Sequence, residues 1–131
     1  MPVMRVLFAL ALGIMVVGAR ADAHHSFSAQ YFEDQIVSIE GEITEFRYVS
    51  PHVWVYLSAR GADGVQRSYA AEWASPSRLT RQRISKNALT PGDRVIVTGS
   101  PSREPSTYRL HLKTIERPAD GWRWAGQRDQ R

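Results

Sequence analysis

The residues of this chain best suited to chemistry are its four histidines, two of which, His24 and His25, directly follow Ala21-Asp22-Ala23. Cleavage after Ala23 would make His24 the first residue, so that its α-amine and its imidazole could chelate one metal ion. A second imidazole from the folded domain would complete a T-shaped three-nitrogen site, a histidine brace. Nitrogen-rich sites of that kind suit copper(II), which heads the affinity order of the divalent first-row metals. His25 offers a rival chelate through the amine, its own backbone nitrogen and its imidazole. With Ser26 in third place, the amino-terminal motif that needs histidine there is absent. The amine titrates near ~7.7–8.0 and must lose its proton to ligate, so affinity should fall steeply with acid.

His52 is the expected internal partner. It opens a strand after Ser50-Pro51 and shares a face with Trp54 and Tyr56, which would hold its ring in place. A leader from His24 to Gln35, spanning up to ~3.3 Å per residue, could reach anywhere on a small domain. His111 alternates with Arg109 and Lys113 and is expected to face solvent. Trp54 and Tyr56, with Tyr69 or Trp73 beside them on the neighbouring strand, could stack on a base, a sugar or a flat cofactor. Against this stands a packing role for the same rings beneath Phe27, Tyr31 or Phe32. Glu72 is expected to bond to the turn that follows it, and Arg78, Arg81, Arg83 and Lys86 to form a solvated helix face.

The elements upstream fit export. Met1 to Arg5 supplies a basic start, Val6 to Val17 an uncharged apolar run, and Gly18 to Ala23 small residues for cleavage. This is the plan of a signal peptide over residues 1–23, too short to span a membrane as a helix. The expectation is a periplasmic or otherwise secreted domain with no membrane span after cleavage. Losing Arg5, Arg20 and Asp22 leaves 15 basic and 12 acidic side chains, a surplus too mild to imply a nucleic acid partner. Without cysteine, disulfides, thiolate metal sites and thiol nucleophiles are excluded. No nucleophile elbow, His-Glu-x-x-His or phosphate loop occurs, so no catalytic residue is assigned and an enzyme is not expected, copper redox chemistry aside. A metal ion, a small ligand or a periplasmic protein is the expected partner.

The positioning elements follow from periodicity. Val37, Ile39 and Ile43 alternate with polar residues, and the apolar phase then slips to Phe46 and Tyr48 past Gly41, as in a bent strand. Val53 to Leu57 and Arg67 to Ala74 flank the turn Gly61-Ala-Asp-Gly64. Ser75-Pro76 starts a helix over about Ser77 to Ser85. Pro91-Gly92-Asp93 turns into a strand from Arg94 to Ser100, and Tyr108 to Ile115 forms another with Tyr108, Leu110 and Leu112 inward. Three strands, a helix and two strands is the order of an OB-like five-stranded barrel over residues 36–117. A leader over 24–35 would precede it and a flexible tail over 118–131 follow, with a small open β-sandwich as the alternative fold.

His24-His25-Ser26-Phe27, Pro51-His52-Val53-Trp54, Glu72-Trp73 with Ser75-Pro76, and Pro91-Gly92-Asp93-Arg94-Val95 together resemble a family of small exported bacterial proteins, the domain of unknown function 6152. The resemblance covers almost all of the mature chain. It implies an export signal, a histidine-led N-terminus and a barrel-like body, with no established activity. Two positions depart from the family pattern: Ser50 stands where Asn precedes Pro-His, and Arg83-Ile84 where Gly-Trp follows the helix.

Overall fold

The computed structural model describes residues 27–126. Strand β1, Val37–Arg47, is shared between two sides of the structure. Its first half pairs antiparallel with β4, Arg94–Pro101, from Val37 opposite Gly99 to Glu42 opposite Arg94. Its second half pairs antiparallel with β2, Trp54–Arg60, from Gly41 opposite Ala59 to Arg47 opposite Trp54. Gly41 lies where the two pairings overlap. A Cβ there would stand 2.4 Å from the Ser58 carbonyl oxygen, so a side chain would force the strands apart. The register shift between Ile43 and Glu45 then moves the inward phase on to Phe46, as the sequence pattern predicts.

Strand β3, Gln66–Glu72, pairs antiparallel with β2 and parallel with β5, Arg109–Arg117; β5 returns antiparallel to β4. The circuit β1-β2-β3-β5-β4 is therefore closed, which rules out the open sandwich. With helix α1, Pro76–Arg81, between β3 and β4, the architecture is an OB-like barrel. Val55, Leu57, Ala71, Val95, Val97 and Ile115 fill it and are fully buried. No helix among the described residues is long and apolar enough to cross a membrane.

Three expectations need correction. The helix starts as expected, Ser75 Oγ accepting from the Arg78 N–H, but ends at Arg81 because the chain turns left-handed at Arg83, φ 63°. A glycine would adopt that conformation without strain, and an arginine there marks the end of the helix. Tyr108 does not point inward: it is 42% exposed, with φ 45°, ahead of β5. The segment from residue 118 is not simply a tail, since Trp122–Ala125 forms a sixth strand, β6, antiparallel to β5. It is held by Trp124, whose ring meets Trp73 edge-on at 5.0 Å and whose indole N–H donates to Gln82 at 2.9 Å. Residues 127–131 lie outside the described part.

Candidate functional site

Alternation sends Trp54 and Tyr56 to the outer face of β2, opposite Val55 and Leu57. Barrel closure extends this face sideways. Trp54 lies opposite Glu72 on β3, Glu72 beside His111 on β5, and His111 opposite Ser100 on β4. The segment before β1 covers the row. A helical turn over residues 27–30 leads to Tyr31, which bridges to Ser102, and the Phe32 N–H donates to the Pro101 carbonyl. Tyr31 of this strap, and Glu72 and Ser100 beneath it, are buried although they sit outside the barrel wall.

Glu72 is the hub. Its Oε2 accepts from the Tyr31 hydroxyl at 2.5 Å and its Oε1 lies 2.7 Å from His52 Nδ1. The expected bond to the following turn is thus replaced by two contacts from distant segments, because the register aims the carboxylate under the strap. Burial and the Glu72 carboxylate hold the Tyr31 phenol well above its ordinary range, so it acts as a donor.

His52 lies next to the strap, its ring 5.1 Å from Phe27. Phe27 also stacks on His111 at 3.8 Å, with 7° between the planes. His111 is therefore not the solvent-facing residue that its alternation with Arg109 and Lys113 suggests: it lies under Phe27, and its Nδ1 is 2.7 Å from Glu33 Oε1. Lys113 Nζ donates to Glu33 Oε2 at 2.6 Å and lies 3.0 Å from the same histidine nitrogen. Among the described residues, neither His52 nor His111 has a hydrogen-bond partner on Nε2.

Burial lowers the His111 pKa below its ordinary value, with Lys113 adding to the effect and Glu33 opposing it. A histidine that resists protonation when folded takes up its proton more readily when unfolded. Its contribution to stability is complete above the unfolded pKa and is lost as the pH falls below it. Between pH 7.5 and 5.5, with the unfolded value near ~6.5, that loss is bounded at about 1.4 kcal/mol. Urea denaturation of metal-free protein at the two pH values should show the decline, and His111→Gln should reduce it. An unchanged pH dependence in the variant would assign the effect elsewhere.

The predicted ring platform is only partly assembled. Trp54 and Tyr56 stack at 6.2 Å, Arg109 lies 5.6 Å over Trp54 and Arg47 lies 4.9 Å over Tyr56. Trp73 is not beside them. It is 1% exposed, in the core against Phe46 and Trp124, because the alternation that turns Glu72 outward puts Trp73 on the inward face with Tyr69 and Ala71. Tyr69 is also buried in the core. His24 and His25 lie outside the described residues. Among the described residues, no three acidic or histidine side chains are grouped so as to hold a metal. Alternation alone places Glu72 and His111 on outer faces; it does not show that they are neighbours, or that Phe27, Tyr31 and Glu33 cover them.

A comparison with curated proteins finds no match. Among solved structures, the mitochondrial single-stranded DNA-binding protein Rim1 of S. cerevisiae is similar at 18% identity and a TM-score of 0.46, over 63% of this chain and 91% of that one. A likeness of that size has no bearing on function. The family of unknown function DUF6152 matches residues 11–111, more than three quarters of the chain, including Phe27, Tyr31, Glu33, His52, Glu72 and His111 of the site. This chain therefore belongs to the DUF6152 family.

Proposed function

We propose that the protein is an exported, periplasmic binding domain that holds a copper ion between its processed N-terminus and His52. The observation that carries this reading is the His52–Glu72 pair. Metal-ligating histidines regularly present one ring nitrogen to a carboxylate, which orients the ring and raises the basicity of the other nitrogen. His52 Nδ1 is held in this way at 2.7 Å, with Nε2 left without a partner among the described residues and the side chain 31% exposed. His111 has the same arrangement, but the Lys113 ammonium at 3.0 Å opposes a cation there. The described residues do not group three ligands, so the remaining donors must come from His24 or His25, just upstream of the Phe27 ring that touches His52. Bound copper would supply Lewis-acid or one-electron chemistry. The protein's own part is to fix the His52 ring through Glu72 and Tyr31.

A docking domain without metal is the second reading. It is favoured by the stripe of Arg109, Trp54, Tyr56 and Arg47, which leaves both charges and rings at the surface. Titration of copper(II) into protein processed to begin at His24, followed by electron paramagnetic resonance, separates the two. The copper reading predicts one bound equivalent with a three-nitrogen signal. His52→Ala, or one extra residue before His24, should weaken it by about tenfold or more, and His111→Ala by much less. Equal effects at His52 and His111 would overturn the brace, and loose binding indifferent to both would favour the docking domain.

A further inference from the structure

We infer a second binding site, for a small organic polycarboxylate, in the cleft between the N-terminal strap and the loop joining β4 to β5. The cleft has a volume of about 320 Å³, and its lining includes Gln30, Tyr31, Ser102, Arg103, Glu104 and Arg109. That is at the lower end of the range for small-molecule sites.

Its walls are fixed by backbone. Tyr31 bridges to Ser102, the Arg103 N–H donates to the Gln30 carbonyl at 2.9 Å, and the Ser102 N–H donates to the Arg109 carbonyl at 3.0 Å. The two cations are held in place with most of their donors unspent. Arg103 donates through Nε to the Ser28 carbonyl at 2.8 Å and rests 4.5 Å over the Phe32 ring, and no partner engages its Nη groups among the described residues. Arg109 rests 5.6 Å over Trp54, and among the described residues neither a carboxylate nor a hydrogen bond engages its guanidinium. This differs from Arg47, Arg67, Arg94 and Arg117, each of which is paired with an acid.

A guanidinium steadied on a ring and still holding its in-plane N–H groups matches a carboxylate, whose two oxygens accept its forked donors. Two such residues lining one cleft call for a ligand with at least two carboxylates. Glu104 is the one acid in the lining, and its Oε1 already accepts from the Ser106 hydroxyl at 2.8 Å. The lining therefore keeps a net positive charge.

The test uses citrate as probe on metal-free full-length mature protein in chelator-treated buffer, so that it is independent of the copper reading. Backbone amide shifts are followed by NMR against sodium chloride of matched ionic strength. The expected result is a saturable shift confined to residues 30–31 and 102–109, weakened at least about tenfold by Arg109→Gln, in line with loss of a charge-assisted bidentate contact. Glu104→Gln should tighten it severalfold. His52→Ala should leave it unchanged. Arg103→Gln would also loosen the strap, so Arg109 is the deciding position. Shifts that do not saturate, that chloride reproduces, or that survive Arg109→Gln would overturn the site. Saturable binding of inorganic phosphate at equal strength would overturn its assignment to carboxylates.

Discussion

Replacing Glu72 with alanine should destabilise the protein by about 2–4 kcal/mol, because two groups lose their partner at once. The Tyr31 hydroxyl, on a residue 1% exposed, has no other acceptor among the described residues, and His52 Nδ1 loses its anchor. An unsatisfied buried hydroxyl alone costs about 1–3 kcal/mol. Glu72→Gln should recover most of the stability, since its amide oxygen still accepts from one donor. Copper affinity should follow a different course: losing the carboxylate that orients a metal-ligating histidine typically costs about 10–100-fold, and glutamine restores little of it because the charge is gone. Urea denaturation and copper titration of the two variants would show this split. If Glu72→Ala unfolded at the wild-type midpoint, the hub role would be wrong. If it unfolded early but bound copper normally, Glu72 would serve only the strap.

Trp73→Ala is expected to cost about 3–5 kcal/mol in urea denaturation, the range for deleting a large aromatic from a packed interior. Trp73 is the largest fully buried side chain and the one against which Phe46 and Trp124 rest. The loss should therefore spread to β6, seen as faster amide exchange at residues 122–125. Were Trp73 part of a ligand platform, its removal would impair binding at near-normal stability. Trp54→Ala is the contrasting change: Trp54 is half-buried on the outer face, and its loss should affect Arg109 far more than the core. Similar destabilisation by both variants would contradict the division between inner and outer faces.

Much of the barrel was legible locally. A strand has period two, so Val53, Val55 and Leu57 could be assigned inward and Trp54 and Tyr56 outward without a structure. Gly41 amid an alternating run announced a bend, and Ser75-Pro76 announced the helix start. The helix end was less legible, because left-handed backbone at an arginine leaves no mark in composition. β6 leaves no local signal, because four residues in a polar stretch form a strand only when β5 offers an edge and Trp73 a ring to pack on.

The site divides in the same way. From sequence alone came the histidine pair after a cleavage-like signal, His52 on an aromatic face, and a single cysteine-free domain. Tertiary structure decided the neighbours. The parallel β3–β5 pairing that closes the barrel sets Glu72 beside His111, residues 39 positions apart whose pairing no local period encodes. The strap laid across them then buries Glu72, turns it towards His52 and Tyr31, and makes Arg103 and Arg109 part of the lining of an open cleft. Local periodicity states which way a side chain points, but its partners depend on strand order and register, which only the closed fold provides.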